Sequence, residues 1–227
     1  SAASTAMVRA FDVLVESARA KAADELEVSP EDIEFTDGAF AIVGTDRRIT
    51  LPDLARQTET AFEGEDFSAT DDATFPNGCH VCEVEVDPDT GHVEMVRYTV
   101  VDDVGTVLNE ALVKGQLHGG IVQGAGQALM ERMVYQEGSG QPLTASFQDY
   151  AMPRATEFPM FTVATHPVPS PRNALGAKGA GEAGVVGSLP AMINAVVDAL
   201  SPLGIDHIDM PVSPDRVWKA IQAAKAL

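Results

Sequence analysis

The chain has 227 residues, 45% of them hydrophobic and 22% charged, the balance of a folded protein long enough to bury a core. Its formal net charge of -19 excludes the basic footprint that nucleic acid or an anionic membrane surface demands. No window approaches about 18 uninterrupted apolar residues, so no membrane span is expected, and no basic-then-apolar leader opens the chain.

Ser1 leads almost directly into a helical pattern, as expected of a piece of a longer polypeptide. From Ala6 to Leu26 the spacing of Met7, Phe11, Leu14, Ala18, Ala22 and Leu26 predicts a long helix with one apolar face. "SPED" at Ser29–Asp32 reads as a helix cap with proline first and acids after it. "IEFTDGAFAIVG" alternates around Asp37-Gly38, a hairpin signal, and "TLPDLARQT" predicts a short helix entered through Pro52. Residues 58–77 are polar, acidic and aperiodic, a long surface loop and the candidate point of subdivision; otherwise 1–227 reads as a single piece.

"NGCHVCEVEVDPDTGHVEMVRYTVVDD" predicts two strands joined at "DPDTG". Cys79 and Cys82 are the only cysteines, and residues three apart on a strand face opposite ways, so they cannot chelate one ion together. Two reduced cysteines suit a cytoplasmic protein. "GQLHGGIVQGAGQALMERMVY" predicts a helix loaded with glycine in its first half, followed by a loop at "QEGSGQPL". "TASFQDYAMPRATEFP" is irregular, and "MFTVATHPVPSP" is a strand running into prolines. "SLPAMINAVVDAL" and "SPDRVWKAIQAAKAL" predict two closing helices. Strands in hairpin order mixed with helices give an α+β fold class.

Each glycine inside a helix costs about 1 kcal/mol relative to alanine, so Gly115, Gly119, Gly120, Gly124 and Gly126 need a reason. Tight packing on a neighbouring element is one. The other is a ligand lying against backbone, with Gln116 at the helix start offering donors and acceptors. "GAKGAGEAGVVG" lacks the serine or threonine after lysine that a P-loop requires, and "GAG" at Gly124–Gly126 lacks the rest of a dinucleotide fingerprint. What remains is a glycine-lined turn feeding a helix, with free N–H groups suited to an anion or an oxygen-rich cofactor. Glu182 sits in that turn. In an enclosed pocket it would be a desolvated general base; exposed, it would only complement the helix dipole.

Six segments, "NGCHVCEVEVDPDTGHVE", "VDDVGTVLN", "GQLHGGIVQGAGQAL", "SFQDYAMPRA", "GAKGAGEAGVVG" and "HIDMPVSPDRVW", closely resemble the C-terminal part of the large subunit of the molybdenum hydroxylases. This is the family of xanthine dehydrogenase, aldehyde oxidase and the aerobic carbon monoxide dehydrogenase large chain. "HIDMP" and "GEAG" lean towards the carbon monoxide dehydrogenase-like branch. The resemblance implies the family's C-terminal molybdenum cofactor-binding domain, with mixed hairpins and helices. Glu182 matches the catalytic glutamate, which acts as general base. Gln116 matches a glutamine that contacts the molybdopterin, and Gly179, Ala180 and Gly181 match the loop beside the metal. Asp103 and Asn109 match positions that hold the cytosine nucleotide of the cofactor.

By the same resemblance the complete enzyme carries molybdopterin cytosine dinucleotide with molybdenum and oxidises a small carbon substrate (carbon monoxide, an aldehyde or an N-heterocycle) with water-derived oxygen. Its partners are the rest of the large subunit, an iron–sulfur small subunit with [2Fe-2S] clusters and an FAD-binding medium subunit. The dithiolene needs no protein metal ligand, and the chain by itself is expected to be inactive and without cofactor. Two other readings remain: a non-catalytic structural or assembly module of the same fold, and a phosphate- or nucleotide-binding enzyme using the glycine turn.

Overall fold

Hairpins and helices alternate along the chain, and the computed structural model describes residues 2–67 and 73–226. They form two compact units, Ser1–Ala73 with Pro171–Leu175, and Thr74–Ser170 with Gly176–Leu227.

In the first unit, helix α1 (Ala2–Leu26) is followed by strands β1 (Ile33–Thr36), β2 (Ala39–Ile42) and β3 (Arg48–Thr50) and by helix α2 (Leu51–Gln57). The strands pair antiparallel in chain order. Asp37 and Gly38, with φ of 49° and 75°, supply the two left-handed residues of the β1–β2 turn. The C-terminal half of the predicted α1 face is buried at Ala18, Ala22 and Leu26, but towards the N-terminus Met7 and Phe11 are largely exposed and Val15 is buried instead; Ala23 is buried as well. The alanines are small enough to let Phe40 and Leu54 into the same cluster. "SPED" forms a single 3-10 turn, Pro30–Asp32, because Ile33 is already extended and enters β1. Strand β3 was not predicted. It ends at Thr50, whose hydroxyl caps α2 by accepting from the Asp53 N–H. The described part of 58–77 is irregular up to Asn77, and residues 68–72 lie outside the described residues.

The second unit holds the site. Strands β4 (Asn77–Val86) and β5 (Val93–Asp103) form the predicted hairpin, and β6 (Thr162–Thr165) joins β5 in parallel. The Asp87 carboxylate pins the connecting turn by accepting from the Asp89 N–H and the Thr90 hydroxyl. A bulge at Glu83/Val84 shifts the β4–β5 register by one residue. The helices are α3 (Glu110–Leu129), α4 (Ala183–Leu200) and α5 (Pro214–Lys225). Helix α3 starts a full turn before Gly115, because Asn109 caps it by accepting from the Leu112 N–H, so Gln116 lies in its second turn and not at its start. Tyr98, Val100, Ile121, Met192, Val196, Val217 and Ile221 are buried in one core.

Two kinds of glycine separate on α3. A Cβ at Gly120 would lie 2.8 Å from the Gly184 Cα, and one at Gly124 would lie 2.0 Å from the Ser188 Oγ, so this face is closed by α4. Cβ atoms at Gly115 and Gly119 would meet nothing. Ala183–Leu203, with mean hydropathy 1.5, is long and apolar enough to cross a membrane by length and composition alone. In the fold, Gly184, Ser188, Met192, Val196 and Leu200 turn a buried stripe onto α3 and β4, and Pro190, Asn194 and Asp198 face out.

Candidate functional site

The segment from Gly176 to Glu182 reaches α4 pinned to the chain just beyond β5. The Gly176 carbonyl accepts from the Thr106 and Ser170 N–H groups at 2.9 Å each, and the Lys178 N–H donates to the Val104 carbonyl at 2.8 Å. Gly105, at φ of 67°, allows the approach; a Cβ there would strike the Gly176 carbonyl oxygen at 2.2 Å. Beneath the loop, Asp103 forms an ion pair with Lys178 and accepts from the N–H groups of Gly105 (2.8 Å) and Val168 (3.0 Å). Burial would push the Asp103 carboxyl up, but the bonds from Lys178, Val168 and Gly105 outweigh it and hold the group below the usual carboxylate range.

Two cavities flank this loop. One, of about 300 Å³, is lined by Phe75, Asn77, His80, Asp102, Glu182 and Val186 among others. The other, of about 330 Å³, is lined by Asn109, Leu112, Gln116, Lys178, Ala180 and Gly181 among others. Consecutive residues therefore part to opposite sides: Ala180 and Gly181 face one cavity, Glu182 and Ala183 the other.

The residues singled out in the sequence are brought together only in part. Gln116, Asn109, Ala180 and Gly181 share the second cavity. Gly179 does not line it, though a Cβ on Gly179 or Gly181 would meet nothing within 4 Å. Asp103 lines neither of these two cavities, since its oxygens are used on Lys178, Gly105 and Val168; it is a buried clamp on the loop and does not face a ligand. Asn109 already spends its side-chain oxygen on the α3 cap. Glu182 is exposed at the N-cap position of α4 and makes no capping bond of its own. The described residues thus leave Glu182 exposed and do not form the enclosed, water-poor niche expected for it.

Three residues that the sequence reading passed over lie in the first cavity's wall or directly behind it. His80, on β4, pairs across the sheet with Val100, so Tyr98 and Asp102 flank it diagonally on the same face. Its Nε2 is 3.3 Å from the Asp102 Oδ1, and its Nδ1 is 2.7 Å from the Tyr98 hydroxyl. Burial, with Cys82 and Asp102 nearby, pushes the Tyr98 phenol above its usual range, so it stays protonated. Cys79 is exposed, while Cys82 faces the core beside Met192. Among the described residues no group of three or more His, Cys, Asp or Glu is placed to hold a metal ion.

The second cavity suits an oxygen-rich, anionic group. Open glycines allow close approach, the Ala180 and Gly181 N–H groups have no backbone partner among the described residues, and Gln116 can donate or accept.

The family description molybdopterin cofactor-binding domain matches residues 1–159. Over 220 residues the chain is 36% identical to 6-hydroxypseudooxynicotine dehydrogenase complex subunit gamma of Paenarthrobacter nicotinovorans, covering 92% of this chain and 28% of that one. It is 34% identical to the carbon monoxide dehydrogenase large chain of Hydrogenophaga pseudoflava, covering 90% of this chain and 26% of the relative. Its fold superposes on reconstituted CO dehydrogenase from Oligotropha carboxidovorans with a TM-score of 0.87 at 32% identity, over 94% of this chain and 28% of that structure. The chain thus spans little more than a quarter of the length of these relatives.

Proposed function

Since the chain belongs to the molybdopterin cofactor-binding domains of the molybdenum hydroxylase family, we propose that it supplies the base and one face of the cofactor site in an oxidoreductase of that family. One observation supports this reading: the cavity on one side of the loop is lined by Gln116 of α3 together with Ala180 and Gly181, and the cavity on the other side by Glu182.

In this reading the second cavity receives the pterin end of the cofactor, as its cytosine dinucleotide form. Gln116 and the N–H groups of Ala180 and Gly181 hold its polar edge, Gly179 beside them leaves room for close approach, and Asn109 lies at the nucleotide side. Asp103 contributes indirectly by clamping Lys178 and the loop. The cofactor, when bound, supplies two-electron redox chemistry at molybdenum. Glu182 accepts the proton of a water or hydroxyl lying in the first cavity, which strengthens that oxygen as a nucleophile. The described residues leave Glu182 exposed, and in this reading the remainder of a longer large subunit supplies the covering wall. The substrate class is a small oxidisable carbon compound: carbon monoxide, an aldehyde or an N-heterocycle. Partner subunits bearing [2Fe-2S] and FAD groups, in the cytoplasm, would supply the onward electron transfer.

The test is the complete enzyme carrying Glu182→Gln. Molybdenum and cofactor content should match the parent while turnover falls by about 10²- to 10⁴-fold, the usual contribution of a general base. Turnover close to the parent's would remove Glu182 from the chemistry.

A further inference from the structure

The wall of the Glu182 cavity contains a second titratable group that nothing above uses. His80 and Asp102 have side chains only 7% and 3% exposed, and both line this cavity with Glu182. Both imidazole nitrogens are engaged, one by Asp102 and one by Tyr98. Asp102 Oδ2 is buried and, among the described residues, has no hydrogen-bond partner.

Two glycines make room for this arrangement. A Cβ on Gly78 would fall 1.8 Å from Asp102 Oδ1, and a Cβ on Gly187 of α4 would fall 2.4 Å from the His80 ring. Any other residue at either place would displace the pair. A buried carboxylate with one unfilled oxygen is costly, and retaining it in a space cleared by two glycines points to a use for its proton-binding capacity.

We propose that His80 and Asp102 form a second protonation site of the cavity, which takes over the proton collected by Glu182 and so returns Glu182 to its basic form. The inference rests on the reading of Glu182 given above. In the transfer, the O–H bond of the Glu182 carboxylic acid breaks and one cavity water passes the proton on. A new N–H or O–H bond forms within the His80–Asp102 pair, and no electrons move. Because the two side chains are in contact, the proton belongs to the pair and not to either residue alone. Tyr98 remains a phenol throughout and hydrogen-bonds Nδ1 in either state. His80 and Asp102 act through Glu182 and are positioning residues.

The groups surrounding the pair can be named. From β5 come Tyr98 and Asp102, and beside His80 on β4 lies Cys82, whose thiol stays neutral. Across the cavity stands Glu182. His166 donates its backbone N–H to the Asp102 carbonyl, and His118 reaches Tyr98 only through the Phe161 ring. Glu182 is therefore the only carboxylate besides Asp102 on this cavity among the described residues, and the expected coupling runs between it and the pair.

Two measurements test this. In the 227-residue chain, ¹⁵N NMR follows the His80 imidazole through a pH titration, in the parent and in Glu182→Gln. Removing the Glu182 charge should lower the His80 midpoint by about half a pH unit, the size expected for charges that share a partly solvated cavity. In the complete enzyme, His80→Gln should lower kcat by about tenfold, shift the pH profile of kcat, and leave KM and molybdenum content unchanged. If His80→Gln fails to fold, Tyr98→Phe keeps the ring packing and should change the His80 tautomer ratio and the same pH profile. An unchanged His80 midpoint together with a pH profile that overlays the parent's overturns the proposal. An active Glu182→Gln enzyme overturns the role of Glu182 instead, and the NMR coupling still decides whether the pair is a second site of the cavity.

Discussion

Gly120 of α3 and Gly184 of α4 meet backbone to backbone, with the position of a Gly120 Cβ only 2.8 Å from the Gly184 Cα. That contact sets the spacing of the two helices and hence where the loop before α4 lies over α3. Gly120→Ala must push the helices apart and should cost about 1–3 kcal/mol in urea unfolding. Gly119→Ala, one residue away, faces open space and should gain up to about 1 kcal/mol from helix propensity. Equal effects from the two substitutions would deny that α4 closes one face of α3 only.

The buried Asp103–Lys178 pair should behave as a clamp. Asp103→Asn leaves the Lys178 ammonium without its counter-charge and should destabilise the chain by about 3 kcal/mol. The sign of the pH dependence follows from the depressed carboxyl. Its contribution is complete above the unfolded-state value and is lost as pH falls through the lower folded-state value, so the parent should lose it below about pH 4. Denaturant titrations at pH 7 and pH 3 should show the gap between parent and variant narrowing in acid.

Asn109 has one duty in the fold and a second only in the proposed complex. As a cap, its loss in Asn109→Ala should cost about 1 kcal/mol, and Asn109→Ser should restore most of that. A nucleotide contact would not be restored by serine. Cofactor retention in the complete enzyme with Asn109→Ser therefore separates the two duties: low retention with parent-like stability marks the contact, and full retention marks a cap alone.

The two thiols should differ sharply in reactivity. Cys79 is exposed, whereas burial, aided by the charge of Glu83, pushes the Cys82 thiol up to about 12. Alkylation of the folded chain at pH 8 should modify Cys79 alone, and both should react in denaturant. Mass spectrometry showing rapid labelling of Cys82 in the native state would mean that β4 does not turn it into the core.

Much of the second unit is legible from residue order. The "DPDTG" turn, the alternation along β4 and the helical runs announce their elements, and Glu182 stands out as a carboxylate among small apolar residues. The His80–Asp102 pair is not legible in that way. Counting outward from the turn without interruption places His80 opposite Thr99, between Arg97 and Val101. The bulge at Glu83/Val84 moves it opposite Val100, between Tyr98 and Asp102. One extra residue decides which side chains share a face, and neither propensity nor alternation marks its position. The α1 face was misread only at its N-terminal end, for a related reason: periodicity says that a stripe exists, while the part of it that is buried is whichever one Phe40 and Leu54 can reach, at Ala18, Ala22 and Leu26.

Composition, turn chemistry and hydrophobic period are local properties, so residue order alone determined the α+β class, the main elements and the six segments that mark the family. Which glycines are packed and which stand open, that Asp103 is a clamp, and that one loop parts two cavities depend on atoms brought together from distant parts of the chain. Only tertiary structure decided them, because a contact across 60 or more residues, such as Gly120 with Gly184 or Asp103 with Lys178, has no signature in the neighbours of either residue.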